Sequence, residues 1–112
     1  MKDEPTLLVQ FLGNNPTIRI IDFFLDNRTD YSKNEIIEGI GMSKTTFYKV
    51  WDKLEKFRVM VPTRRYGRAQ LFRINTENEL VKKLIAIDFT LGMHAMNEAL
   101  AKVPVRASSK RK

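Results

Sequence analysis

The amino-acid sequence predicts a mainly α-helical protein with one small β-hairpin, and three observations carry that expectation. Stretches of helical period opened by capping residues fill residues 16–57, short alternating stretches flank a glycine between residues 59 and 74, and a last run of helical period extends over residues 76–103. A chain of 112 residues can form one compact unit with a real core and one long appended element, whereas two separate cores would be cramped.

Residues 1–15 form an N-terminal segment in which Leu7, Leu8, Phe11 and Leu12 suit a short amphipathic helix. The run LLVQFL fits a strand as well, since so short an apolar run does not discriminate, and the helix is preferred. Asn14-Asn15-Pro16 reads as a turn and a helix start, with Asn15 as N-cap and Pro16 at the first helical position, where its missing N–H costs nothing. The helix continues to Asn27 with a main stripe of Ile18, Ile21, Phe24 and Leu25, widened by Ile20 and Phe23. Covered on most sides, it is the scaffold helix of the expected core.

Ser32-Lys-Asn-Glu35 is a capping box, and Ile36, Ile37 and Ile40 give the short helix after it an apolar side until Gly39 and Gly41 break it. Ser43 is the next N-cap, and no Gly or Pro interrupts residues 43–57. At 100° per residue, Phe47, Val50, Trp51, Leu54 and Phe57 fall on one stripe, while Thr45, Tyr48, Lys49, Asp52 and Lys56 face the other way. Two helices joined by a tight glycine turn, the second presenting small polar and cationic residues, make the layout of a helix-turn-helix that reads a major groove. An ordinary helical hairpin has the same pattern.

After Phe57 the period changes. Residues 59–63 and 69–74 alternate with β-branched and aromatic content, and between them Arg64, Arg65, Tyr66, Gly67 and Arg68 form the expected loop, Gly67 supplying its positive φ. Pro62 cannot donate to a ladder and belongs at an edge or a bulge. Arginines in a hairpin loop can serve solubility alone, but directly after a helix-turn-helix a cationic hairpin is a wing that lies along the DNA backbone or minor groove.

A second capping box, Thr76-Glu-Asn-Glu79, opens a helix that Pro104 stops and that would be roughly 40 Å long at ~1.5 Å per residue. Leu80, Leu84, Ile87 and Leu91 form one stripe, and Phe89, Met93, Met96, Leu100 and Val103 form a second on the opposite side. The first covers its own domain. The second is expected to pair with the same helix of another copy, since a monomer this small has no second layer to offer. Gly92, Ala95 and Ala99 would let two helices approach closely, although Gly92 can equally be a weak point costing about 1 kcal/mol. Residues 104–112 read as a basic disordered tail adding non-specific electrostatic affinity.

Charge sharpens this picture. Residues 1–42 hold four basic and seven acidic groups, net −3; residues 43–73 hold nine and two, net +7; residues 74–101 hold two and four, net −2; residues 102–112 hold five and none, net +5. A solvated basic face would spread its charge, whereas concentration on the presented helix, the hairpin and the tail points to a polyanion. The absence of cysteine excludes disulfides, thiolate metal sites and cysteine nucleophiles. His94 is the single histidine and reads as a surface helix residue, so neither a metal site nor a cofactor is expected. Asp22 with Asp26 and Asp52 with Glu55 have the spacing of helix salt bridges, and with no base, nucleophile or phosphate loop beside them an enzyme is not expected. No apolar run approaches the ~20 residues of a membrane span and the start is acidic, so the expected location is cytoplasmic, at the nucleoid.

Residues 17–75, with the run NEIIEGIGMSKTTFYKVWDKLEKFRVMVPTRRYGRAQLFRIN, resemble the winged helix-turn-helix domains of prokaryotic transcription regulators, particularly small archaeal ones and the broad MarR- and ArsR-like group. The likeness covers about half the chain and lies in the order of elements, which places a DNA-binding domain at residues 16–75, while the second apolar stripe makes residues 76–103 the expected dimerisation helix. It implies base-edge contacts from Ser43, Lys44, Thr45, Thr46, Tyr48 and Lys49, and backbone or minor-groove contacts from Arg64, Arg65 and Arg68 beside Tyr66. Lys53 and Lys56 lie further along the helix, where they would meet phosphate. The chain departs from that group in having neither a cysteine cluster for metal sensing nor a separate ligand domain. The expected function is homodimeric binding to double-stranded DNA in transcription regulation. A plasmid or virus replication or segregation factor shares the same chemistry, and a protein-interaction module is opposed by the wing arginines.

Overall fold

The computed structural model describes residues 5–102. Its elements in order are α1 (Leu7–Leu12), α2 (Pro16–Asp26), β1 (Tyr31–Ser32), α3 (Lys33–Ile40), α4 (Lys44–Lys56), β2 (Met60–Tyr66), β3 (Ala69–Ile74) and α5 (Glu79–Ala101). Val103, the stop at Pro104 and the basic tail lie outside the described residues.

Most helix starts follow from their capping side chains. LLVQFL is a helix whose N-cap, Thr6, accepts the Val9 N–H at 3.3 Å. Asn15 accepts the Ile18 N–H at 3.0 Å with Pro16 in the first turn. The capping box at α3 is complete: Ser32 Oγ accepts the Glu35 N–H at 3.2 Å, and the Ser32 N–H donates to Glu35 Oε1 at 2.8 Å. The box expected at Thr76 does not form. Asn78 caps α5 instead, its carbonyl oxygen accepting the Leu80 N–H at 2.6 Å and the Val81 N–H at 3.4 Å. The Asn78 amide also donates to Phe57 O at 2.8 Å and Arg58 O at 3.0 Å, so one side chain starts α5 and closes α4.

The end of α4 departs from the expected stripe. Arg58 takes a left-handed conformation (φ 60°), its N–H donating to Glu55 O at 3.0 Å and the Val59 N–H to Leu54 O at 2.9 Å, a Schellman closure with arginine where glycine is usual. The chain therefore turns away one residue early. Phe57 is left 54% exposed, and Val59 takes its place in the core.

The sheet has three strands in the order β1-β3-β2, all antiparallel, with Tyr31 opposite Phe72 and Met60 opposite Ile74. The two-residue β1 has no alternation to announce it and was not expected from the sequence. Pro62 sits on the edge strand where the β2–β3 register shifts between Pro62 and Arg65. Tyr66 pairs with Ala69, so the turn is Gly67-Arg68 alone, with Gly67 at φ 63°. Arg64, Arg65 and Tyr66 thus belong to a strand rather than to a five-residue loop.

One core joins all the helices and the hairpin, built on Leu8, Ile20, Phe24, Ile36, Phe47, Trp51, Leu54, Met60, Ile74 and Val81. Gly39 lets α3 approach α2, since a Cβ there would lie 2.7 Å from Phe23 Cε1. In α5 the buried anchor is Val81 and not Leu80, which is 49% exposed at the first turn. Leu84, Ile87 and Leu91 are half-buried against the core as expected.

Candidate nucleic-acid interface

The turn between α3 and α4 is set by Gly41 at φ 74°, whose N–H donates to Ile37 O at 2.9 Å. Arg19 of α2 donates to Ile40 O at 2.7 Å and ties the same end of α3 to the scaffold. From Ser43 onward α4 buries Phe47, Trp51 and Leu54 and presents Lys44, Thr45, Tyr48, Lys49 and Lys53, all exposed. Thr46 is half-buried. Ser43 Oγ accepts the Thr46 N–H at 3.2 Å and donates to Thr46 Oγ1 at 2.9 Å, so these two hydroxyls are already engaged in capping the helix. The freer polar groups of the first turns are Lys44, Thr45, Tyr48 and Lys49.

The hairpin extends beside this helix. Tyr66 is 74% exposed, and Arg68 occupies the turn. Arg65 lies across the hairpin, its guanidinium donating to Gln70 Oε1 and Arg68 O at 3.4 Å each, long bonds that leave it available. Arg64 differs. Its Nε donates to Asp30 Oδ2 at 3.0 Å and its Nη2 to Asp30 Oδ1 at 3.3 Å, a two-pronged pair between the wing and the loop before β1. Asp30 also accepts the Thr63 hydroxyl at 2.6 Å. Hydrogen bonds from Arg64 and Thr63 hold the Asp30 carboxyl below its ordinary pKa, and the bond to Asp30 together with its charge lifts that of the Arg64 guanidinium. Arg73 faces back along its strand, donating to Ile74 O at 3.1 Å rather than to an acid.

Sequence reasoning missed Lys33. Its ammonium stands 5.4 Å from the Tyr48 ring centroid, 5.7 Å from that of Trp51 and 5.4 Å from that of Phe72. These distances are within the roughly 6 Å range of cation–π attraction, and the rings come from the presented helix and the wing strand. A cleft lined by Ser32, Lys33, Asn34, Tyr48, Gln70 and Phe72 opens between the two. The capping box accounted for Lys33 as a spacer, and nothing in the sequence marks it otherwise.

The α1 and α5 end of the molecule carries an exposed apolar stripe. Phe89, Met93, Met96 and Leu100 are 68, 42, 56 and 63% exposed along α5, and Phe11, 67% exposed, borders a shallow groove with Ala86, Ile87, Thr90 and Leu91. His94 is exposed. Among the described residues no group of three or more His, Cys, Asp or Glu could hold a metal ion, and no helix is long and apolar enough to cross a membrane.

No protein-family model and no curated protein matches the chain. Solved structures do. A point mutant of MepR from Staphylococcus aureus, bound to an oligodeoxyribonucleotide, superposes with a TM-score of 0.60 at 16% identity over 89% of this chain and 72% of that one. The transcriptional repressor CouR, bound to a 23-mer DNA duplex, gives 0.56 at 19% identity over 88% and 69%. MepR described as a transcription regulator of the multidrug efflux pump MepA gives 0.59 at 15% identity over 88% and 71%. At these identities the likeness is one of fold, and that fold is a winged helix-turn-helix with a long C-terminal helix.

Proposed function

We propose that this chain binds double-stranded DNA as a homodimer and regulates transcription, as a MarR-like regulator acting at the nucleoid. The observation that carries the reading is the juxtaposition of an exposed cationic and polar face on α4 with the exposed Arg65, Tyr66 and Arg68 of the hairpin, in a fold shared with MepR and CouR solved on DNA. Lys44, Thr45, Tyr48 and Lys49 are suited to base edges in the major groove, with Ser43 and Thr46 holding the helix start beside them. Lys53 and Lys56 are suited to phosphate, and Arg65 and Arg68 to the backbone or a narrow minor groove. The exposed stripe of Phe89, Met93, Met96 and Leu100, to which Val103 is assigned from the sequence, is the dimer seam of this proposal. A twofold axis there would set two copies of α4 on half-sites about one DNA turn, roughly 34 Å, apart.

Selection of bound fragments from random duplex DNA tests the reading. A near-palindrome is the expected result. Direct repeats would favour a replication or segregation factor, and no enrichment would favour a protein-interaction module.

A further inference from the structure

The segment from the loop after α2 to the first residue of α3 touches both parts of the interface. At residue 30 a carboxylate grips β2 through Thr63 at 2.6 Å and Arg64 at 3.0 and 3.3 Å, and that carboxylate side chain is only 15% exposed although its partner Arg64 is 67% exposed. Tyr31 and Ser32 pair with Phe72 and Leu71 of β3. At residue 33 an ammonium sits among Tyr48 and Trp51 of α4 and Phe72 of β3. Trp51 has no hydrogen-bond partner for its buried indole N–H, so its place is set by packing: it stacks on Phe47 at 4.9 Å, meets Phe72 edge-on at 5.2 Å and faces Lys33. Four consecutive residues therefore hold the edge strand of the wing, its central strand and the presented helix.

Neither grip suits a direct role in holding DNA. The Lys33 ammonium already faces three rings, and the Arg64 guanidinium is already occupied by Asp30. Both suit a role in spacing. We propose that residues 30–33 are the positioning element of the interface, Asp30 fixing the wing strand β2 and Lys33 fixing the aromatic side of α4, so that helix and wing meet DNA at one separation. The proposal rests on the DNA-binding reading above for its consequence, but the spacing itself can be measured without DNA.

The chain has no cysteine, so paired spin labels can be placed at Lys53→Cys on α4 and Arg68→Cys in the wing turn without background labelling. With doubly labelled chain diluted into an excess of unlabelled chain, so that only distances within one protomer are read, the otherwise unaltered protein should give one narrow interspin distance distribution. Asp30→Asn and Lys33→Met should each broaden it, and Lys33→Arg, which restores a cation to the three rings, should narrow it again. Narrow distributions in both Asp30→Asn and Lys33→Met overturn the proposal.

Unlabelled protein supplies the second readout. Lys33→Met should lower affinity for the selected site by about two- to thirty-fold, the equivalent of one cation–π contact, while the slope of log affinity against log salt stays at its original value. Asp30→Asn should raise affinity for random DNA by freeing Arg64 and reduce the preference for the selected site. A slope lowered by about 0.9 per protomer in Lys33→Met would show Lys33 on a phosphate and overturn its positioning role. If the unaltered chain binds no DNA, the functional reading fails, while the spin-label distances still decide whether residues 30–33 set the spacing.

Discussion

At the α4 and hairpin end of the molecule the exposed side chains include Lys44, Thr45, Tyr48, Lys49, Arg65 and Arg68, whereas at the α1 and α5 end they include the apolar Phe11, Phe89, Met93, Met96 and Leu100. The two surfaces gain free energy in opposite ways. Cations gain by displacing counterions from a polyphosphate, a term that salt weakens, and apolar side chains gain about 1.5–3 kcal/mol each when removed from water, a term that salt does not weaken. The ends also differ internally. The polar end is braced by side-chain bonds, such as Asp30 to Thr63 and Arg64 and Asn78 to the close of α4, while α5 beyond Leu91 leaves the core and carries an open stripe. One end is held by bonds within the chain, and the other leaves apolar side chains in water.

The largest effect is expected from a charge placed on the apolar stripe. Met96→Glu or Leu100→Glu would bury a carboxylate in the seam and should give monomers with an intact fold. Loss of two-site engagement should lower DNA affinity by about 10²- to 10⁴-fold. Sedimentation would show the change in mass, and an unaltered protein already monomeric at micromolar concentration would remove the seam from the comparison.

A smaller effect is expected on the reading helix. Thr45→Ala should cost about 1–3 kcal/mol on the selected site and little on random DNA, as loss of one base contact does. Thr46→Ala is expected to act differently, because its hydroxyl partners Ser43 Oγ at 2.9 Å and its loss disturbs the helix start. Binding titrations on specific and random duplexes separate the two, and equal losses on both duplexes for Thr45→Ala would remove it from the reading set.

The wing is measured by salt. Each phosphate neutralised contributes about 0.9 to the slope of log affinity against log salt, so Arg65→Ala, lost from both protomers, should flatten the slope by roughly 2. Arg73→Ala should leave it nearly unchanged, since that guanidinium is turned onto Ile74 O. An Arg65→Ala slope equal to that of the unaltered protein would mean the hairpin does not touch DNA.

Much of the fold was legible because it was carried by local signals. Asn15, Ser32 and Ser43 cap the helices they were expected to cap, Gly41 and Gly67 take positive φ, and Pro62 sits at an edge irregularity. Where the reading failed, a tertiary contact decided. Asn78 displaced Thr76 as a cap because its amide also reaches Phe57 O and Arg58 O at the close of α4, and Phe57 left the stripe because Arg58 turned left-handed. The presented face of α4 followed from helical period, but the Asp30–Arg64 pair, 34 residues apart, and the ring cluster around Lys33 have no sequence period at all.

The smallest expected effect compares two aspartates, one at each end. Asp30 has a lowered pKa through its bonds from Arg64 and Thr63, so its contribution to stability is present at neutral pH and is lost as pH falls through that lowered value. Asp22 has a raised pKa, chiefly through burial, with Asp26 and Asp88 of α5 adding repulsion against the bond it accepts from Thr6 Oγ1 at 2.9 Å. Its sign is opposite. The folded state favours the protonated acid, so this stabilisation is full below the ordinary carboxylate pKa of about 3.9 and is lost as pH rises through the raised value. Asp22→Asn keeps an acceptor for Thr6 and removes the charge, and should therefore raise the melting temperature at neutral pH. The gain should vanish at about pH 3, where the native side chain is already neutral. Asp30→Asn should instead lower the melting temperature at neutral pH, with the loss shrinking in acid. Thermal melts of both variants at the two pH values check the pair, and a neutral-pH loss for Asp22→Asn would show that its charge is stabilised by neighbours rather than opposed by burial.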